Sequence, residues 1–295
     1  MSEVLRKEMK AELKEVRKSE VKEERKREAE DAVKKHSLLQ IAPTIAEIFS
    51  IPLETDAKSL EEVLNFVHKS CKRGNFRVIL LVIDSLDWQF FKDFAYSLRR
   101  MHALASSGLL FKCKTVSEHT TPAIASILTG LRPESHGILT ENDVGKSGVD
   151  SILEILDAHG IKTAAVLEEK GAKPLKGKIS FVFPVRDRED ILDYDEKVKE
   201  KTLLALKKAR MIFAHFRAID RFAHRSLDMR EAARFTDENV GEIVNAVAAD
   251  AAKGVETLFF LCGDHRTHGG MRRVGGRSGS GESEDSVPLI FRVFA

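Results

Sequence analysis

Three apolar runs in this sequence end on acidic residues. VILLVI runs into Asp84, MIFAHFRAI into Asp220 with His224 four residues later, and TLFFLCG into Asp264-His265. Carboxylates and imidazoles together make a donor set for Zn²⁺, Mn²⁺ and related divalent ions, with no thiolate needed. Two such ions about 3.5–4 Å apart clamp the attacking and leaving oxygens of an in-line displacement. A single Asp after a strand has a plainer use as the cap of the next helix. Three together, two of them partnered by His, are poorly explained as caps. The remaining requirement is a nucleophile. In residues 117–139, SEHTTPAIASILTGLRPESHGIL, Pro122 suits the first turn of a helix, so the helix starts near Thr121 with Thr120 and Thr121 at its N-terminus. A hydroxyl there gains from the positive end of the helix dipole and from amide groups that also suit phosphate, and a metal lowers its pKa further. Taken alone, this segment reads first as a plain Thr cap.

These residues need a scaffold that gathers strand ends. Apolar, β-branched runs at 77–83, 161–167, 179–183, 210–216 and 256–262 read as buried strands of a parallel sheet covered on both faces. Helical patterns fall between them, at about 90–106, 121–129, 149–158, 188–208 and 228–252, and Val287-Pro288-Leu289-Ile290-Phe291 reads as a last strand. The alternation predicts an α/β fold, a three-layer α/β/α sandwich with a mostly parallel central sheet. Ligands of such sheets bind beyond the carboxyl ends of the strands, where the Asp and His residues fall. Gly275 to Ser286 is rich in Gly, Ser and Glu and reads as a loop.

With 43% hydrophobic and 32% charged residues over 295 positions, the composition is that of a soluble globular protein with a heavily ionised surface. The net charge of +2 gives no global field to favour nucleic acid or an anionic membrane. No apolar run reaches the roughly 18–20 residues of a membrane span. The opening MSEVLRKEMKAELK lacks an apolar signal core, so the expectation is a cytoplasmic protein. Cys71, Cys113 and Cys262 are odd in number and widely spaced, which indicates neither a disulfide framework nor a Cys-based zinc site. Cys113 and Cys262 lie in strand-like runs and read as buried structural thiols. Residues 1–36 stand apart as a charged N-terminal helix with Glu and Lys or Arg three and four apart, leaving 37–295 as the catalytic domain. Its short stripe of Leu5, Met9, Leu13 and Val16 makes a solvated helix the plain reading and an oligomerisation or docking helix the sharper one. The interspersed Glu residues argue against a nucleic-acid role.

Taken together, the motifs resemble the alkaline phosphatase superfamily, and within it the type I phosphodiesterase/nucleotide pyrophosphatase branch. That family has an Asp after its first strand, a Thr-x-Pro nucleophile and a Thr-Gly-x-x-Pro-x-x-His-Gly turn. Here these are Asp84, Thr120-Thr121-Pro122 and Thr129-Gly130-Leu131-Arg132-Pro133-Glu134-Ser135-His136-Gly137, with the later Asp/His pairs in order over residues 77–295. The resemblance implies that Asp84, Thr120, Asp264 and His265 hold one metal and Asp220 and His224 another. It makes Thr120 the nucleophile, with Thr121 as fallback, and His136 a structural residue of the turn. It implies two divalent ions, Zn²⁺ ahead of Mn²⁺. The implied activity is hydrolysis of a phosphodiester or phosphomonoester, on a small or nucleotide-like substrate, through a phosphothreonine that water releases.

The sequence departs from the family twice. The family's second metal normally has a third ligand, a His shortly before the last Val-Pro-Leu strand. Gly275 to Ser280 contains no His, and His268 is the nearby substitute. The segment LLQIAPTIAEIFSIP, residues 38–52, resembles an element that the family carries after its last catalytic strand, which suggests a circular permutation. A formylglycine sulfatase is not matched, because Thr120-Thr121-Pro122-Ala123-Ile124 lacks the required Cys/Ser-x-Pro-x-Arg pattern. A phosphoglycerate mutase needs a large second domain for which there is no room. The alternative from another class is a degenerate, non-catalytic relative acting as a metal-binding or interaction protein.

Overall fold

The computed structural model describes residues 36–71, 76–187, 190–267 and 285–295. Residues 1–35 of the expected N-terminal helix, His268 and the stretch 275–280 lie outside the described residues.

Successive residues of a strand face opposite sides of the sheet. In β1 (Phe76–Ile83) the residues Ile79, Leu81 and Ile83 enter one apolar cluster, and Val78, Leu80 and Val82 enter the other. The sheet is therefore buried on both faces, as its unbroken hydrophobicity demands; each fully buried aliphatic side chain contributes roughly 1.5–3 kcal/mol. The other strands are β2 (Leu109–Lys114), β3 (Thr163–Glu168), β4 (Phe181–Val185), β5 (Met211–Phe216), β6 (Glu256–Gly263) and β7 (Ser286–Phe294). Their spatial order is β2-β7-β6-β1-β5-β3-β4. β1, β3, β4, β5 and β6 pair in parallel, while β7 runs antiparallel to both β6 and β2. One face is covered by residues of α1 (Ile41–Ile48), α2 (Glu61–Ser70), α5 (Thr120–Thr129) and α6 (Ile152–Ala158). The other is covered by α3 (Trp88–Asp93), α4 (Arg99–Ser106), α7 (Ile191–Ala205), α8 (Ala218–His224) and α9 (Met229–Ala251). This is the expected three-layer sandwich.

The differences from the expected elements have local causes. The helix expected over 90–106 is two helices, because Asp87 caps α3 through Phe90 N–H (2.6 Å) and Asp237 of α9 accepts from the amides of Arg100 and Met101, both at 3.0 Å. That second cap comes from a distant element and leaves no local trace. β2 carries Lys112 and Lys114, which interrupt the apolar pattern, yet Phe111 and Cys113 point inward. Cys113 and Cys262 are fully buried thiols, as expected. α2 and α8 are additions to the expected set.

α1 belongs to the same apolar cluster as Val287, Leu289 and Phe291 of β7. The segment after it also braces the turn that follows α5. Asp56 Oδ2 accepts from Arg132 N–H (2.8 Å) and Ser135 Oγ (3.1 Å), and Gly130 ends α5 at φ 72°, where a side chain would meet Thr55 at 2.7 Å. No helix among the described residues is long and apolar enough to cross a membrane.

Candidate active site

β6, β1 and β5 are parallel neighbours, so their carboxyl ends share one edge. The register sets Val82 beside His215 of β5 and Cys262 of β6, and Asp84 and Asp264 follow two residues later. Asp84 continues the ladder by donating its N–H to Phe216 O at 2.9 Å. Gly263 lets β6 finish there: a side chain on it would lie 1.9 Å from the Leu86 carbonyl oxygen.

Four of the expected residues meet at this edge. Thr120, the first residue of α5, has its Oγ1 2.9 Å from His265 Nε2 and 3.2 Å from Asp84 Oδ1. His265 Nε2 is also 3.2 Å from Asp84 Oδ1 and 3.6 Å from Asp264 Oδ2. The opposite ring nitrogen, Nδ1, lies 2.8 Å from the Arg266 carbonyl, which can only accept, so Nδ1 carries a proton. Once Nε2 loses its own proton, its lone pair faces Asp84, Asp264 and Thr120, which is how a metal-ligating imidazole is normally held. Thr121 hydrogen-bonds none of these residues among those described, which leaves Thr120 as the hydroxyl in place. α5 begins at Thr120 rather than Thr121, with His119 at its cap position.

Electrostatics make this cluster incomplete as it stands. Asp84 and Asp264 are fully buried. Burial, with Asp84 beside it, pushes the Asp264 carboxyl up to about 8. Burial also opposes ionisation of Asp84, but His265, His215 and Arg217 outweigh it and hold that carboxyl below its usual range. Burial opposes protonation of His265, yet Asp264 and Asp84 drive its imidazole up to about 10. An imidazolium thus stands where the pocket calls for a cation. Asp84 Oδ2 and Asp264 Oδ2 are in addition buried without a hydrogen-bond partner among the described residues. Orphaned carboxylate oxygens beside an imidazole whose tautomer is fixed are what a divalent ion's donors look like without the ion. The residues present fit the metal that the motifs imply.

Asp220 and His224 sit one helical turn apart on α8, and His224 Nε2 is 3.4 Å from Asp220 Oδ1. Asp220 is nearly buried, and burial with the nearby Asp84 raises its pKa. The His224 side chain is 58% exposed, so this pair opens to solvent where the other cluster does not. One ligand atom each from Asp84, Asp220 and His265 lies within 4.8 Å of the others, so the two groups adjoin. His136 is buried and belongs to neither group. It accepts from Ile138 N–H at Nδ1 (3.1 Å) and donates from Nε2 to Ser126 Oγ (3.0 Å), tying the turn to α5.

Four residues that the motifs do not name join the site. Ser85 has φ 61°, in the left-handed region that a β-carbon disfavours. From there its N–H donates to Asp264 Oδ1 (2.9 Å) and its hydroxyl to Asp220 Oδ1 (2.8 Å), linking the two groups. Arg217 Nε lies 3.5 Å from Asp84 Oδ2, and the same guanidinium reaches Asp187 at 3.3 Å. Asp195, buried in α7, accepts from the amides of Arg217 (2.8 Å) and Ala218 (3.1 Å) and so caps α8; burial pushes its carboxyl up to about 7. His215 lies behind Asp84, its Nε2 3.8 Å from Asp84 Oδ2, and burial brings its imidazole down to about 4. His215 alone left a signal in the sequence, a polar residue in phase with Met211 and Phe213 on a buried strand face.

Comparison with known proteins bears on the fold and the family. No curated protein matches the chain. Among solved structures, phosphonoacetate hydrolase of Sinorhizobium meliloti 1021 aligns with a TM-score of 0.54 and 14% identity, over 65% of this chain and 56% of that one. Murine ectonucleotide pyrophosphatase / phosphodiesterase 5, as an inactive variant in complex with AMP, aligns with a TM-score of 0.52 and 17% identity over 65% of this chain and 57% of that one. The C-terminal periplasmic domain of EcEptC from Escherichia coli, in a complex with Zn, gives 0.50 and 15% over 74% and 72%. The chain thus spans little more than half the length of the first two, and at these identities the likeness is one of fold, that of the alkaline phosphatase superfamily. The sequence itself goes further: the family model for type I phosphodiesterase / nucleotide pyrophosphatase matches residues 78–274, from β1 through Asp264-His265, and the chain belongs to that family.

Proposed function

We propose that this protein hydrolyses phosphate esters with Thr120 as nucleophile, through a phosphothreonine. The observation that carries the reading is the seat of the Thr120 hydroxyl, at a helix N-terminus and within 3.2 Å of both Asp84 Oδ1 and His265 Nε2. Asp84 Oδ1 accepts the hydroxyl proton and orients the oxygen for attack. The amides of Thr120 and Thr121, in the first turn of α5, have no acceptor within the helix and face an incoming phosphoryl group. Half-burial of Thr120 leaves its oxygen within reach of substrate, while the carboxylates behind it stay dry. Divalent ions, Zn²⁺ or Mn²⁺, would be held by Asp84, Thr120, Asp264 and His265 and by Asp220 and His224, with His268 as a further candidate ligand; when bound they neutralise phosphoryl charge and acidify the hydroxyl. The exposed Asp220/His224 side is where water would approach to release the phosphate.

The reading takes support from family membership and from neighbours that include a phosphodiesterase bound to AMP and a domain bound to Zn. A small, nucleotide-like phosphate ester is the substrate class proposed. The test is turnover of bis-p-nitrophenyl phosphate and p-nitrophenyl phosphate by chelator-treated protein before and after addition of Zn²⁺ or Mn²⁺. Metal-restored turnover that disappears in Thr120→Ala is expected. No activity with any metal, or full activity in Thr120→Ala, contradicts the reading. Metal binding without turnover would instead identify a non-catalytic relative.

A further inference from the structure

The proposed ligand set leaves the buried imidazole of His215, beside Asp84, unused. His215 is 3% exposed and lies in the middle of the sheet edge, and its Nε2 has no hydrogen-bond partner among the described residues. Asp84 Oδ2 and Asp264 Oδ2 share that condition. The three residues are neighbours: His215 Nε2 is 3.8 Å from Asp84 Oδ2, and one ligand atom from each of Asp84, His215 and Asp264 lies within 4.8 Å of the other two. The fold explains the meeting. Val82, Cys262 and Phe213 all belong to the apolar cluster on the α5 side of the sheet, and Asp84, Asp264 and His215 each follow two residues later along their strands.

Buried polar atoms in native proteins find partners, so three orphans in one place point to something bound between them. A water could bridge them, but it would leave the Asp84 and Asp264 carboxylates to share the charge of His265, which lies 3.2 and 3.6 Å away on the Thr120 side. Arg217 approaches Asp84 Oδ2 at 3.5 Å through Nε, but it divides its charge with Asp187. A divalent cation satisfies all three atoms and the charge together. The donors, one imidazole and two carboxylates, suit Zn²⁺ or Mn²⁺.

We propose that His215, Asp84 and Asp264 form a buried divalent-cation pocket in which His215 is a metal ligand. Asp84 and Asp264 are both shared with the catalytic cluster: Asp84 Oδ1 faces Thr120 and His265 while its Oδ2 faces His215, and Asp264 Oδ2 also lies 3.6 Å from His265 Nε2. A cation held here fixes the Asp84 carboxylate from behind, so the oxygen that takes the Thr120 proton cannot turn away. This inference rests on the metal-dependent reading above, and it can fail separately from it.

The experiment is metal titration of the full chain. Wild type, His215→Ala, His215→Gln and Asp220→Asn are stripped with chelator, reloaded with Zn²⁺ or Co²⁺, and compared by ion count, by affinity and by the cobalt visible spectrum. Circular dichroism identifies which of the two His215 variants is folded and carries the comparison. The folded His215 variant is expected to bind one ion fewer, or to bind it at least ~10-fold more weakly, with an altered cobalt spectrum. Asp220→Asn keeps the ion that depends on His215. An unchanged ion count, affinity within twofold and an unchanged cobalt spectrum in the folded His215 variant overturn the proposal. If that result accompanies metal-dependent turnover in the wild type, only the His215 pocket falls; if the wild type binds no metal at all, both readings fall.

Discussion

The two groups of metal-type donors in this molecule differ in how much of their geometry is built in advance. Asp84, Asp264 and His265 are almost fully buried at the ends of adjacent strands, and each is held by hydrogen bonds to backbone or neighbouring side chains. Asp220 and His224 ride on a seven-residue helix, and His224 is mostly in solvent. Strand ends locked into a sheet give a rigid, charge-strained pocket whose binding energy is set by desolvation. A short surface helix gives a pair that a ligand or a further residue must complete. The first group therefore resembles the permanent part of a site and the second its adjustable part, joined through the hydroxyl and amide of Ser85.

Substitutions can break that contrast. The largest effect is expected from Asp84→Asn, which keeps shape but removes the charge common to nucleophile and metal; turnover should fall at least ~10³-fold, with ion content falling alongside. A loss of less than tenfold would mean that the buried group is not the permanent part. Next come His265→Ala and His224→Ala, compared by metal titration. The former should abolish the tight ion, whereas the latter should weaken only the outer one, by roughly 10–100-fold. Equal losses in the two variants would erase the distinction.

A pH measurement sharpens the support of the outer group. Asp195 caps α8, and burial pushes its carboxyl up to about 7 from the ordinary 3.8. The folded state thus keeps a proton that the unfolded chain releases, so between about pH 4 and 7 this residue makes stability fall as pH rises. Asp195→Asn should flatten that slope in denaturant unfolding of the metal-free protein. An unchanged slope would remove Asp195 as the titrating brace. The smallest effect is expected from Ser85→Gly. It loses the hydroxyl bond to Asp220 but relaxes a left-handed backbone, so stability should change by no more than ~1 kcal/mol while affinity for the outer ion drops a few-fold. A larger drop for the inner ion would mean that Ser85 serves the wrong half.

The acids of the site were readable because an apolar strand that ends on Asp is a sharp boundary in the sequence, and Thr120 because Pro122 marks a helix start. The central layers of the sandwich were readable for the same reason, as with VILLVI and TLFFLCG. Ser85 was not, since nothing in its identity announces a positive φ, which the packing of β1 against Thr267 and Asp264 imposes. Asp195 sits in a helical pattern full of charges and reads as a solvated residue; only the arrival of β5 and α8 above it makes it a buried cap. The break between α3 and α4 depends on Asp237, over a hundred residues away, and was invisible for that reason. His215 left only a faint trace, a polar residue on a buried strand face that passes for core among Phe and Ala.

Thr120 as nucleophile can be tested most directly by trapping the covalent intermediate. Metal-loaded protein is mixed with bis-p-nitrophenyl phosphate, quenched in acid during turnover, digested and analysed by mass spectrometry. The expected result is a phosphoryl-type adduct on the peptide that contains Thr120, absent from Thr120→Ala and from protein quenched before substrate is added. Rapid turnover with no adduct on that peptide, together with undiminished turnover in Thr120→Ala, would contradict it.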